Sequence, residues 1–180
     1  MQQTLLFGPL VVINLWHTVV LLVARRNGRS WRSISESATS TQTTLLIHRI
    51  VHIAGAACFV AYAIWLVANT QFGWVALALS LAALCDATQV ITLSQKTKHY
   101  PVMSRDIHQL TAWAMAAGYL LFSVAYALAN EVSGGLIISY IVFLYVNYAW
   151  SALTKHKYFW LAQMVFFLGV SGMIVVSGSL

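Results

Sequence analysis

The chain has 180 residues, of which 60% are hydrophobic and only 8% are charged, and its formal net charge is +6. Soluble domains carry about a quarter charged residues, so this composition excludes a soluble globule and predicts an integral, multi-pass membrane protein. Because the basic residues of a membrane protein first report its topology, the positive charge predicts no nucleic-acid partner. Membrane lipid is the expected surrounding, and a bacterial-type plasma membrane the expected location.

Hydropathy predicts an all-α fold, a six-transmembrane-helix bundle that forms one domain over residues 1–180. A helix needs about 20 apolar residues to cross a hydrocarbon core of about 30 Å. The segments of that length are, in chain order, Leu5–Ala24, Leu45–Asn69, Phe72–Ser94, His108–Ala129, Gly135–Leu153 and Tyr158–Ser177. The connections between them are too short to form a further domain.

The Lys and Arg residues all fall on one side of this topology. They are Arg25, Arg26, Arg29, Arg32, Arg49, Lys96, Lys98, Arg105, Lys155 and Lys157. An excess of basic residues marks the cytoplasmic side, which places both termini outside the cytoplasm. The longest connection, 25–44, is rich in Ser, Thr and Arg and has little apolar surface to bury, so we expect a mobile, basic cytoplasmic loop there.

Five ionisable side chains from four spans lie in the predicted cytoplasmic half: His17, His48, His52, Asp86 and His108. At about 1.5 Å per residue, His17 and Asp86 reach roughly 10–12 Å into the hydrocarbon core. An ionisable residue there costs about 2.5–3.5 kcal/mol and normally faces the bundle interior or a watery cavity. The sequence therefore predicts a histidine-rich pocket that opens towards the cytoplasm.

A b-type haem is the first occupant that this pattern predicts. Two helices must each supply an imidazole at similar depth, and small residues must admit the flat macrocycle. His48 or His52 would pair with His108, while Gly55 and Gly118 lie in runs of small residues that could provide the space. A histidine that opens a span and is followed by an Ala/Gly run resembles small membrane b cytochromes, at the level of fold only.

Beside such a haem, Asp86 and His17 would form a catalytic proton or quinone site. The protein would then be a membrane oxidoreductase for electron transfer, with a quinone or another lipid-soluble substrate as its partner. A homo-oligomer, or a place as a subunit of a larger membrane complex, is compatible with this function.

The second hypothesis is a membrane-embedded enzyme that holds zinc or another divalent metal and acts on a lipid. His48 and His52, at positions i and i+4, place two imidazoles on one helix face, and His17, His108 or Asp86 would complete the metal site. The metal would activate water. This is similar in outline to seven-span membrane hydrolases that use His and Asp, although one span and their serine motif are missing here.

The third hypothesis is a small proton- or cation-coupled transporter or channel. Chains of Asp and His are common proton relays within membranes, and Asp86 is the only carboxylate in any predicted span. In this hypothesis, Asp86 and the histidines themselves bind the transported or coupling ion.

Overall fold

The structure is a computed structural model that describes residues 2–28, 33–70, 72–93, 102–154 and 157–178, with side chains throughout except at residues 2 and 102–106. This part of the chain forms helices and turns and contains no strand. The helices are α1 (Gln2–Arg26), α2 (Ile34–Ala38), α3 (Gln42–Asn69), α4 (Gly73–Thr92), α5 (Val102–Ala129), α6 (Gly134–Leu153) and α7 (Phe159–Gly178). All except α2 are long and apolar enough to cross a membrane, so the prediction of an all-α, six-span architecture is confirmed.

Several helices extend past the predicted spans. Helix α3 begins at Gln42 because the Thr41 side chain accepts a hydrogen bond from the backbone N–H of Thr44, which caps the first turn. Helix α5 begins at Val102, so His108 lies within the helix instead of at its start. Hydropathy counts only the apolar part of a helix, whereas the backbone continues into the polar turns that flank it.

The long helices alternate in direction. An added Cβ on Gly55 would meet Ile13, and His17 contacts His52, so α1 and α3 are antiparallel. One end of the bundle, which we call the basic end, therefore contains the last turns of α1, α4 and α6 and the first turns of α3, α5 and α7. The opposite end, where α1 begins and α7 ends, is called the terminal end. Of the residues used to predict topology, Arg29, Arg32, Lys96, Lys98 and Lys155 lie outside the described residues.

The connection 25–44 contains the short helix α2. Ile34 and Ala38 are buried, and the backbone N–H of Ile34 donates to Oε1 of Gln163 at 2.8 Å. The sequence predicted a loop here because the segment is polar overall, but two well-placed apolar side chains are enough to pack a single helical turn. The mobility of the connection stays a prediction.

Small residues let α4 and α5 approach each other closely. A Cβ added at Gly118 would lie 2.9 Å from Cβ of Ala82 and 3.0 Å from the Ala82 backbone. Small residues at helix interfaces are common in membrane proteins because packing replaces the hydrophobic effect there. The backbone of α4 therefore occupies the space that a side chain at Gly118 would need.

We expect Gly118→Ala to destabilise the bundle by about 1–3 kcal/mol, since the new methyl group collides with backbone that is unable to move aside independently. Gly172→Ala in α7 is the control, because a Cβ at this position meets no atom within 4 Å. Thermal unfolding in detergent measures both variants. Equal losses of stability would contradict close α4–α5 packing.

Candidate functional site

Four of the five predicted site residues come together inside the bundle. His17 lies on α1, His48 and His52 on α3, and Asp86 on α4, and each side chain is only 1% exposed. The His52 ring lies with its centroid 5.2 Å from that of His17 and 4.3 Å from that of His48. Depth counting along the predicted spans thus identified residues that are neighbours in space.

His52 is the centre of this cluster because both of its ring nitrogens are hydrogen-bonded. Its Nδ1 lies 2.9 Å and 3.0 Å from the two carboxylate oxygens of Asp86. Its Nε2 lies 3.2 Å from Nε2 of His17. These three side chains, His17, His52 and Asp86, form a continuous chain across α1, α3 and α4, which we call the His–His–Asp chain.

With Asp86 ionised and both imidazoles neutral, the hydrogen bonds of the His–His–Asp chain run in one direction. An ionised carboxylate only accepts, so Nδ1 of His52 donates to Asp86. The bare Nε2 of neutral His52 then accepts from Nε2–H of His17. This leaves Nδ1 of His17 without a hydrogen, and that atom is buried with no hydrogen-bond partner among the described residues. The chain therefore ends, at His17, in an unsatisfied proton acceptor.

Gln89 links the carboxylate to α5. Its side-chain Nε2 donates to Oδ1 of Asp86 at 3.0 Å and lies 3.3 Å from Sδ of Met115. The half-buried His108 donates from Nδ1 to the backbone oxygen of Gln89 at 2.9 Å. Through this nitrogen, His108, which was predicted to pair with His52 or His48, is bound to the backbone of α4.

His48 is held by Trp16, a residue that the sequence analysis did not single out. Nε1 of Trp16 donates to Nδ1 of His48 at 3.2 Å. A signal for this contact was present, because an indole N–H within a membrane span needs an acceptor and the half-buried Trp16 lies well inside the first span. Since Nδ1 of His48 accepts this hydrogen bond, the neutral ring carries its hydrogen on Nε2.

Among the described residues, apolar side chains cover the cluster towards the basic end. One helical turn nearer the basic end, Val20, Ala38, Leu45 and Leu93 form a small buried apolar cluster, which we call the basic-end cap. Ala38 belongs to α2, so the connection predicted as a loop supplies part of this cap. The opening of the pocket towards the cytoplasm stays a prediction.

His52 does not fit an iron ligand for a haem between α3 and α5, whereas the pairing of His48 with His108 stays a prediction. His52 would need a bare nitrogen directed at the iron, but both of its nitrogens are hydrogen-bonded within the His–His–Asp chain. Ala82 fills the space expected at Gly118, where an added Cβ would lie 2.9 Å from Cβ of Ala82. Ile13 fills the space at Gly55, where an added Cβ would lie 2.8 Å from Cδ1 of Ile13. The small residues serve helix packing.

The predicted metal ligands do not converge either. Within the described part of the chain, no group of three or more His, Cys, Asp or Glu side chains is arranged to hold one metal ion. His17 and His52 direct their Nε2 atoms at each other, while Asp86 lies on the far side of the His52 ring. The arrangement instead provides what a proton relay requires, which is a buried chain of donors and acceptors that ends in an acid.

Comparisons with known proteins do not identify the chain: no protein-family model, no curated protein and no solved structure matches it.

Proposed function

We propose that this protein conducts protons across the membrane and that the His–His–Asp chain is its proton-binding site. The observation that supports this most strongly is the position of His52, which is bonded through one ring nitrogen to a carboxylate and through the other to a second imidazole. An imidazole can accept a proton on one nitrogen while it releases another proton from the opposite one, so His52 can pass one proton along the chain. Each transfer leaves the ring in its other tautomer, and the ring has to rotate before it passes the next proton.

The relay follows from the hydrogen bonds. A proton that reaches Nδ1 of His17 makes this ring cationic, and Nε2 of His17 then passes its own proton to Nε2 of His52. His52 in turn releases the proton on Nδ1 to the carboxylate of Asp86. The result is a neutral carboxylic acid and two neutral imidazoles in their other tautomers. No charge remains in the apolar interior at the end of the transfer.

The cost of burial also favours a functional role. Ionisable groups in a membrane span are expensive, at about 2.5–3.5 kcal/mol each near the helix centre, and usually mark ion or proton pathways. Apolar side chains of similar volume would hold α1, α3 and α4 together without this cost. Three such groups in one bonded chain are therefore better explained by proton transfer than by packing.

For the orientation, we propose that the basic end faces the cytoplasm of a bacterial-type plasma membrane, with both termini outside, in accord with the positive-inside rule. The basic-end cap then separates the cytoplasm from the His–His–Asp chain. Because the cap consists of a few apolar side chains, and one of its members belongs to the five-residue helix α2, its opening would admit protons from that side.

Flux into liposomes tests the proposal. The purified protein is reconstituted with a pH-sensitive dye inside the vesicles, and a potassium diffusion potential set with valinomycin drives protons inward. We expect internal acidification faster than in protein-free vesicles, and its loss in Asp86→Asn. Glu131→Gln is the matched control, because it removes the same charge from an exposed carboxylate in the α5–α6 turn. Its flux is expected to equal that of the wild type.

The same preparation distinguishes the other two hypotheses. A Soret band in its absorption spectrum would indicate haem, and stoichiometric zinc by elemental analysis would indicate a metal enzyme. Wild-type protein that gives no more acidification than empty vesicles, or Asp86→Asn that conducts as well as the wild type, would refute proton conduction through this site.

A further inference from the structure

A small cavity lies next to Asp86, on the side of the His–His–Asp chain that faces the terminal end. Its volume is about 20 Å³, measured as the space open to the centre of a water molecule. Besides Asp86, the polar side chains that line it are Asn14, Tyr119 and Ser171, and the rest of its wall is apolar. One water molecule needs about 10–15 Å³ by this measure, so the cavity is large enough for one.

Two polar atoms at this cavity lack hydrogen-bond partners in the described structure. They are Oδ1 of Asn14 and the hydroxyl oxygen of Tyr119, and both are buried. The amide nitrogen of Asn14 is satisfied, since it donates to the backbone oxygen of Leu10 at 2.7 Å and to Oγ of Ser171 at 2.8 Å. An unsatisfied buried polar group costs about 1–3 kcal/mol, so two of them on one cavity indicate a missing partner.

The chemistry of the three groups fits a water molecule. The Tyr119 hydroxyl faces the Asp86 carboxylate without a hydrogen bond of normal geometry to it. Tyr119 can donate to a water oxygen, and the water can donate one hydrogen to Oδ1 of Asn14 and the other to Asp86. Buried waters typically make about three hydrogen bonds, and this arrangement provides three.

We infer that this cavity binds one water molecule, which Tyr119 and Asn14 hold against Asp86. The occupancy of the site does not depend on the proposed proton conduction, but its role does. In that role, Tyr119 is a positioning residue and the water takes up the proton that Asp86 has received from His52. The O–H bond of the carboxylic acid breaks and a new O–H bond forms on the water, which becomes hydronium beside the restored Asp86 carboxylate. The hydronium then releases its excess proton towards the terminal end and is again a neutral water.

Hydroxyl-radical labelling in H₂¹⁸O detects such a water directly. Radicals generated from bound water by an X-ray pulse modify adjacent side chains, so we expect ¹⁸O on Tyr119 in the intact wild-type protein. Tyr140 is the control, because it is also buried, its hydroxyl is bonded to Ser123 at 2.9 Å, and it does not line the cavity. Labelling of Tyr119 no stronger than that of Tyr140 would show a dry cavity and overturn the inference.

Tyr119→Phe then tests the role of the water. We expect the proton flux to fall about tenfold, the effect of losing roughly one hydrogen bond. Tyr140→Phe should keep its flux, and elution of both variants as monodisperse peaks confirms folding. Full flux in Tyr119→Phe would remove this residue from the pathway. Labelled Tyr119 in a protein without flux would refute conduction alone, whereas flux with an unlabelled Tyr119 would refute only the water site.

Discussion

The double variant His52→Leu, Asp86→Leu is expected to be more stable than either single variant and to conduct no protons. In the wild type the two side chains are 1% exposed and lie 2.9 Å apart, and each has one further hydrogen-bond partner, His17 for His52 and Gln89 for Asp86. Removing one partner of such a buried pair costs about 3–5 kcal/mol, because the other is left uncompensated in an apolar interior. Replacing both with apolar residues of similar volume is often neutral or stabilising. The cavity beside Asp86 gives the new Leu side chain room.

This stability pattern is measured as a double-mutant cycle by thermal unfolding in detergent. The coupling energy should be large and should favour the double variant. Ser123→Ala with Tyr140→Phe is the control cycle, since these two buried hydroxyls are also hydrogen-bonded but are neutral, and a coupling of about 1 kcal/mol is expected there. Single losses that simply add in the His52–Asp86 double variant would show that the pair is not coupled.

Stability and flux separate the two explanations of the pair. If His52 and Asp86 only fix the packing of α3 against α4, a stable double variant should conduct protons as fast as the wild type. If they relay protons, the double variant is a well-folded protein without conduction. The combination of recovered stability and absent flux is the outcome that a purely structural pair does not produce.

The sequence predicts the spans well because the bilayer imposes a length on them. Each of the predicted segments, such as Leu45–Asn69, corresponds to one long helix in the structure. The burial of His17, His52 and Asp86 also followed from the sequence, since an ionisable residue at that depth has to face protein. Spacing and depth are properties of single helices, and the sequence contains both.

The partners of each histidine depend on how neighbouring helices are rotated, and this the sequence does not contain. His108, like His48, is followed by a run of small residues, yet it bonds to the backbone of Gln89, whereas His48 bonds to Trp16. Gly118 shows the same ambiguity. A small residue that admits a cofactor and one that admits a neighbouring helix look alike in the sequence, and only the contact with Ala82 distinguishes them.

His52→Gln is expected to preserve the bundle but reduce proton flux by about 10²–10⁴-fold, the usual contribution of a positioned acid–base group. The amide of Gln offers an N–H donor towards Asp86 and an oxygen acceptor towards His17, so it can replace both hydrogen bonds of the imidazole. An amide does not, however, take up a proton on one side and release one on the other. The variant therefore separates hydrogen bonding from proton transfer at the centre of the chain.

The matched control is His108→Gln, which makes the same substitution at the half-buried histidine that bonds to Gln89. Flux is measured in the same vesicles, and unfolding temperatures show whether each variant stays folded. Conduction by His52→Gln at the wild-type rate would mean that protons pass Asp86 by another route. Equal losses in the two variants would place both histidines on the pathway, with Gln89 as the connection between them. Loss in His52→Gln alone requires that the proton itself crosses the imidazole, since every other hydrogen bond of the site is retained.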